Sequence, residues 1–441
     1  MSRSPRSVVF AVTVAVVVGL GEVHAHFVAP HPYSFTGTSR FPWLLVFIAL
    51  ILLATYVAGL PDQTRSRDDA ALRSAGALFA AALLVSLFAL LVGSQLLPRF
   101  VVFGTIGILT PVCMFASAAS RRSRRRREEH QRVLTVVSNE ESALLHRDLA
   151  LEPERNARIV AEIEPAQAAP HPDADRPLEE AALAVRANLV VLNREAQADD
   201  AIVAQVARLH AAGVRVRTLS LFYDEWLGKL PISELERMSL MFDINEIHHQ
   251  SYSQLKRVLD IVVAASGFVV LILVVPVVAL LDLIDNRGPL LYRQRRVGKD
   301  GAVFTILKFR TMRPHEGPTT WTGESDPRIG RVGRLLRKTH VDELPQVLNV
   351  LRKDLSVVGP RPEQPQYVEE LSKSIPYYDV RHLVRPGITG WAQVKYPYGA
   401  TQLDALEKLQ FEFYYLRHQS LGLDMRIMGR TLRSVVQRSG R

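Results

Sequence analysis

Four apolar runs in the first 120 residues constrain this chain more than any other feature: Val8–Leu20, Phe41–Leu60, Ala75–Leu97 and Phe100–Ala119. A helix that crosses a bilayer needs roughly 20 mostly apolar residues, because each residue rises only about 1.5 Å. The last three runs meet that length. The first is shorter, ends near Glu22 and follows Arg3 and Arg6. It reads as an uncleaved helix, with a signal-peptide core cut near Val23-His24-Ala25 as the competing reading. Residues 1–120 are thus expected to be a transmembrane region of four helices.

The basic residues set an orientation. Arg65, Arg67 and Arg73 fall between the second and third runs, and Arg121, Arg122 and Arg124 to Arg127 follow the fourth. The positive-inside rule then puts the Arg65–Arg73 loop, and everything after Arg121, on the cytoplasmic face. The segment 121–132 is a basic linker, either a plain stop-transfer anchor or a holder of anionic lipid head groups. The chain carries a net charge of +10 over 441 residues with 48 % hydrophobic residues. In that setting the excess of base favours lipid or phosphorylated substrates over nucleic acid. The single cysteine, Cys113, lies inside an apolar run, which excludes a disulfide framework and a Cys-based zinc site. His24, His26, His31 and His146 lack ligand spacing.

From 133 to 250 the pattern changes to short β-branched runs alternating with helical stretches. Strands are expected at Val133–Val137, Ile159–Ile163, Leu189–Leu192 and Val214–Leu219. A helix over Asp200–Ala212 ends at Gly213. Pro165 to Pro177 reads as a loop. The alternation predicts a small parallel sheet of doubly wound, Rossmann-like type. Its first turn, Ser138-Asn139-Glu140-Glu141-Ser142, has no glycine to let backbone amides approach a pyrophosphate, and its two glutamates repel one. The module is expected to be structural or regulatory.

The last domain, 251–441, opens with Lys256, Arg257 and Asp260, followed by Ile261–Leu281 without a charge. That segment could span a bilayer, but Arg287, Arg293, Arg295 and Arg296 follow it. Base on both flanks is satisfied when the helix bends at Pro276 and returns to the same face. A fifth spanning helix with a tolerated kink is the alternative. Downstream come Asp342 and Glu343, just before Pro345, with Arg331, Arg334, Arg337 and Lys338 ahead of them. Arg361 is held between Pro360 and Pro362, and Lys308 and Arg310 alternate with Phe309 so that both can face one site. An isolated Asp-Glu pair is most simply a solvated helix cap. Among so many cations it suits a site that handles a phosphate diester or diphosphate with a metal ion.

Six motifs now occur in one order: Leu291-Tyr292-Arg293-Gln294, Arg296-Val297-Gly298, Lys308-Phe309-Arg310-Thr311-Met312, Asp342-Glu343-Leu344-Pro345-Gln346, Val358-Gly359-Pro360-Arg361-Pro362-Glu363 and Arg385-Pro386-Gly387-Ile388-Thr389-Gly390-Trp391. They resemble the bacterial sugar transferases that act on polyprenyl phosphate, the monotopic phosphoglycosyl transferases, over roughly Lys256 to Val435. The four apolar runs and the middle module are similar to the long members. Lys395-Tyr396-Pro397-Tyr398-Gly399-Ala400, with Asp404 to Leu409, is similar to members associated with exosortase-type exopolysaccharide loci.

The resemblance implies a membrane protein with an α/β catalytic domain and a re-entrant helix over 261–281. It implies a place in the bacterial inner membrane, with catalysis on the cytoplasmic face. It implies transfer of sugar-1-phosphate from a UDP-sugar to undecaprenyl phosphate, through a covalent phospho-sugar intermediate and with Mg²⁺. Asp342 matches the nucleophile and Glu343 its partner, both able to ligate the metal. Arg361 with Pro362, and Arg337, Lys308 and Arg310, match the phosphate-binding part. Asp424 matches a C-terminal aspartate, and Glu412 stands where many members carry aspartate. Lys353 and Leu355 stand where glycine and methionine are common, and Val275 stands before Pro276 where some members have serine. Membrane lipids are implied partners; a homo-oligomer stays open, as do a catalytically inactive regulatory protein and a nucleotide-sugar hydrolase. The tail Leu403–Val436 mixes helical apolar spacing with arginines, which suits either interfacial helices or plain packing.

Overall fold

The computed structural model describes residues 5–34, 37–38, 40–62, 64, 66–92, 97–130, 132–151, 158–172, 174–231, 250–285, 288–312, 328–396 and 401–436. Arg65, Arg287 and Pro397 to Ala400 lie outside them, as do the side chains of Arg124 to Arg127. The chain forms two compact units, Met1–Thr218 and Leu219–Arg441.

The first unit begins with helices α1 (Pro5–Val23), α2 (Arg40–Val57), α3 (Arg67–Val92) and α4 (Arg99–His130). α1 packs on α2 and α4, and α3 on the same two. Leu44, Phe47, Ile51 and Leu109 are fully buried between them, while Phe79, Leu83, Phe103 and Phe115 face outward. Apolar residues on both faces are what a lipid-exposed helix requires. The segments Ser7–Val28, Arg40–Val57, Arg67–Ser86 and Arg99–Arg122 are long and apolar enough to cross a membrane, and so is a fifth, Tyr252–Leu283.

Arg67 and Arg73 are on α3 rather than in a loop. Ser66 caps the helix by accepting from the Asp69 amide at 3.0 Å, and Arg73 pairs with Asp69 one turn on at 2.6 Å. Asp68 and Asp69 in the first turn favour this start through the helix dipole.

The same unit carries a four-stranded parallel sheet, β1 (Arg132–Val136), β2 (Arg158–Ile163), β3 (Leu189–Leu192) and β4 (Arg215–Thr218), in the order β2-β1-β3-β4. β1 and β3 are almost wholly buried; β3 is an unbroken apolar run, and β1 is apolar but for Arg132 at its start and buried Thr135. Helix Asp200–Ala211 is capped by Asp199 and closed at Gly213, whose φ is +91°. The loop expected from Pro165 opens instead with one helical turn, Pro165–Ala168, because a proline at the first helical position costs no hydrogen bond.

The second unit is organised by one helix of 36 residues, Gln250–Asp285, with Pro276 inside. Ala264, Leu271 and Val278, seven residues apart, are buried in the unit's core. The opposite face is apolar and open: Val262, Val269, Leu273 and Leu280 are 57–69 % exposed. Both ends are tied to the same globular body. Lys256 donates to Asp424 at 2.9 Å and Asp260 accepts from Ser356 and from the Val357 amide at 2.9 Å. At the far end Arg310 donates to Asp282 at 3.2 Å.

The unit also holds the antiparallel hairpin β5 (Leu291–Val297) and β6 (Val303–Phe309), and the short parallel pair β7 (Ser356–Val358) and β8 (Gly387–Thr389), of which β7 packs on the long helix. The tail helices Gln402–Arg417 and Leu421–Val436 bury Leu409, Phe413, Leu416 and Ile427 in the common core, while Leu403, Met425, Leu432 and Val435 stay exposed. Lys353 has φ +72°, the left-handed backbone a glycine takes without penalty.

Candidate active site

The Asp342-Glu343 pair lies in the first turn of a 3₁₀ segment, Val341–Gln346, that runs into helix Val347–Leu351. It does not continue from helix Arg331–Lys338: His340, with φ +55°, breaks the chain between them. Asn349 fixes the segment to the hairpin. Its buried amide accepts from the Leu307 N–H at 3.1 Å and donates to the Thr305 carbonyl at 2.8 Å. The neighbouring Lys308 is thereby held against Glu343, to which it donates at 2.6 Å. The Arg361 guanidinium stands 3.6 Å from the same carboxylate oxygen.

The two acids end in opposite states. Burial pushes the Glu343 carboxyl up, but Lys308 and Arg361 more than reverse this and hold it at about 2. Asp342 is raised above the ordinary carboxylate value, by burial first and by the Glu343 charge second, against the pull of Lys308, Arg337 and His340. Among the described residues its carboxylate makes no hydrogen bond or ion pair. One acid is committed to cations and the other is left open, which is how neighbouring carboxyls acquire separate roles.

Arg361 is placed by backbone. A Cβ on Gly359 would meet the Arg385 carbonyl at 2.3 Å, one on Gly387 the Gly359 nitrogen at 2.1 Å, and one on Gly390 the Gly359 carbonyl at 2.3 Å. Only glycine fits these three positions. Buried Arg381 then donates to the Arg361 carbonyl at 2.8 Å, and Arg296 to the Pro362 carbonyl at 3.0 Å. Arg381 is itself gripped by Glu412 through two hydrogen bonds, 2.7 and 2.8 Å. Burial alone would lower the Arg381 pKa; Glu412 drives it up instead, so the guanidinium stays charged. Beyond Arg361 opens a cavity of about 380 Å³ lined by Tyr367, Gln393, Tyr396 and Lys408 among others.

The structure therefore brings together Asp342, Glu343, Lys308 and Arg361. Arg337 acts on Asp342 by its charge while its Nε donates to Thr311 at 2.9 Å. Arg310 follows the last residue of β6 and turns away to Asp282 on the long helix, while Phe309 before it is buried. Glu412 lies behind the arginine loop. Asp424 lies at the start of the long helix, with Lys256, Tyr252 and Tyr415 all within 3.0 Å. Sequence reasoning missed Arg381, Asn349 and Asp260. Arg381 could have been suspected as a lone arginine between Tyr378 and His382 that needs a buried acid.

An adjacent carboxylate pair with one member unpartnered fits the oxygen-only donor set that Mg²⁺ prefers. No group of three or more His, Cys, Asp or Glu suited to a metal occurs among the described residues.

The family model described as bacterial sugar transferase matches residues 251–438. A UDP-N-acetylgalactosamine-undecaprenyl-phosphate N-acetylgalactosaminephosphotransferase of Aeromonas hydrophila is 35 % identical over 233 residues, 52 % of this chain and 54 % of that protein. A UDP-glucose:undecaprenyl-phosphate glucose-1-phosphate transferase of Caulobacter vibrioides is 42 % identical over 41 % of this chain and 69 % of its own. An exopolysaccharide production protein of Rhizobium leguminosarum is 40 % identical over 42 % of this chain and 96 % of its own. The chain thus spans about half the length of the Aeromonas relative.

Proposed function

The chain belongs to the bacterial sugar transferase family, and from that premise we propose that it transfers sugar-1-phosphate from a UDP-sugar to undecaprenyl phosphate. The observation that carries this reading is the divergence within the dyad: Glu343 held ionised by Lys308 and Arg361, Asp342 raised and unpartnered.

Asp342 is the nucleophile. Its carboxylate oxygen attacks the phosphorus that bears the sugar, the bond from that phosphorus to the bridging oxygen breaks, and UMP leaves with the electron pair. An aspartyl phospho-sugar remains. A phosphate oxygen of undecaprenyl phosphate then attacks the same phosphorus, the acyl-phosphate bond breaks, and Asp342 is restored as polyprenyl-diphosphate-sugar forms. Lys308 and Arg361 offset charge on the diphosphate, with Arg361 between the dyad and the cavity that would take the nucleotide sugar. A raised pKa makes Asp342 a stronger nucleophile once ionised. Asp342 and Glu343 would hold Mg²⁺, which supplies further neutralisation of the diphosphate.

The four N-terminal helices cross the inner membrane and the catalytic domain lies on its cytoplasmic face. The segment Ile261–Leu281 enters the bilayer and returns. A helix whose two ends are bound by one domain supports this, since a crossing would separate them. The middle sheet is a Rossmann-like module without a dinucleotide. Its first helix supports that: Glu141 itself accepts from the Ser138 amide at 2.9 Å, where a phosphate would bind.

Mass spectrometry of the protein mixed with UDP-sugar and Mg²⁺, without lipid, tests the proposal. A sugar-phosphate adduct on Asp342 and one equivalent of UMP are expected. Continuous UMP release without lipid would mean hydrolysis, and no adduct with strictly sequential kinetics would overturn the two-step scheme.

A further inference from the structure

The parallel sheet of the first unit is polarised in charge. Because all four strands run the same way, their N-terminal ends line one edge. Arg158 begins β2 and is paired in register with Arg132, which begins β1; Arg215 begins β4, and Arg186 precedes β3. Asn188 ties the edge together, donating its amide to the Arg132 carbonyl and accepting from the Arg215 amide, both at 3.0 Å. Arg158, Arg186 and Arg215 are exposed, and among the described residues none of them forms an ion pair. The opposite edge, where the strands end, carries Glu140 and Glu141 after β1, Glu164 after β2 and Glu195 after β3, the last beside a single base, Arg194.

The covalent path orients this polarity. The apolar window of α4 ends at Arg122 and the helix continues to His130, about 12 Å further on. β1 begins at Arg132, so the basic edge starts within about 7 Å of the end of α4. The intervening turns hold Arg124 to Arg127 in sequence. The head-group layer adds several ångströms to each side of the hydrocarbon. The edge therefore stands within about one to two screening lengths of it.

We infer that the basic strand edge of this module is a docking surface for anionic phospholipid head groups, which hold the sheet upright with its acidic edge away from the bilayer. This rests on the membrane reading of α4 proposed above and is independent of the transfer chemistry. Anionic head groups near a surface attract each basic residue with measurable strength.

The test uses the full chain in vesicles containing a head-group quencher. Fluorophores are attached at Leu183→Cys, which is 63 % exposed beside the basic edge, or at Glu140→Cys on the acidic edge, with buried Cys113 left in place. The first label should be quenched about twofold or more strongly in phosphatidylglycerol-rich vesicles than in phosphatidylcholine. That excess should vanish near 1 M salt, where screening falls to about 3 Å. It should also vanish in the Arg158→Gln/Arg215→Gln variant. Equal quenching in both lipids, as an acidic protein partner would give, overturns the inference, as does an equal response from the Glu140→Cys label. Loss of the excess on adding inorganic phosphate at matched ionic strength would assign a soluble phosphate site instead. Flotation separates the premises: a chain that fails to float with vesicles refutes the membrane reading, whereas one that floats without lipid-dependent quenching refutes only the docking.

Discussion

Among the acidic pairs that stand at helix starts in the described residues, Glu140-Glu141 in the sheet module and Asp342-Glu343 in the second unit have opposite surroundings. Glu141 turns back on its own helix, accepting from the Ser138 amide and hydroxyl, and Asn193 donates to it at 2.7 Å. Its bonding capacity is spent on structure. Glu343 is held instead by Lys308 and Arg361, from elements far away in sequence, and this leaves Asp342 raised and open. The residue types are nearly the same. What separates a cap from a candidate nucleophile is whether tertiary contacts bring cations to one acid and withhold partners from the other.

The comparison breaks most directly at Asp342. Asp342→Asn keeps the side-chain shape and removes the charge, and transfer from UDP-sugar should fall about 10⁴-fold or more; turnover near the parent rate would place Asp342 with the caps. Next in size, Lys308→Met should lower kcat/KM by about 10²-fold through loss of one charged donor at the diphosphate. Because Lys308 also pulls the Asp342 pKa down, its loss should move the acidic limb of the pH profile upward.

Glu343→Gln should move that limb the other way. The Glu343 charge raises the Asp342 pKa, so removing it leaves Asp342 ionised to lower pH. The two shifts have opposite sign, and a pH–rate series on the three proteins would reveal an Asp342 limb or rule it out. Smallest of all, Glu141→Gln should leave transfer within about twofold and weaken its helix cap by about 1 kcal/mol. Amide exchange at Ser138 reads that change, and a large loss of transfer would contradict the structural role.

Much of the module was legible in the sequence because its strands are buried on both faces and its helix has a glycine stop. Leu189–Leu192 is a strand at the expected residues, and Asp200–Ala211 ends one residue short of expectation. Local capping chemistry was missed at Ser66 and at Pro165, where a polar or imino residue begins a helix in a stretch read as loop. Adjacent acids and a proline-flanked arginine could be picked out by type. Their supports could not: Arg381 meets Glu412 across 31 residues, and Lys256 meets Asp424 across 168. Such pairs are chosen by the packing of whole elements, and no periodicity in either local sequence announces the partner. Arg310 shows the converse, a residue of the right type and spacing that tertiary contact turns toward Asp282.

The open apolar face of helix Gln250–Asp285 has a kinetic consequence. Gly267, midway along it, packs so closely that a Cβ would stand 2.8 Å from Val347, five residues beyond Asp342. On the membrane reading proposed above, a domain seated on that face keeps Asp342 at one height, within reach of whatever moves in the plane of the lipid. On the proposed reaction, the undecaprenyl phosphate acceptor then arrives by lateral search in two dimensions. Its encounter rate follows the number of acceptors per unit of membrane area, whereas the water-soluble donor is met at its bulk concentration. Diluting the membrane with inert lipid should therefore slow the second half-reaction and leave the first untouched.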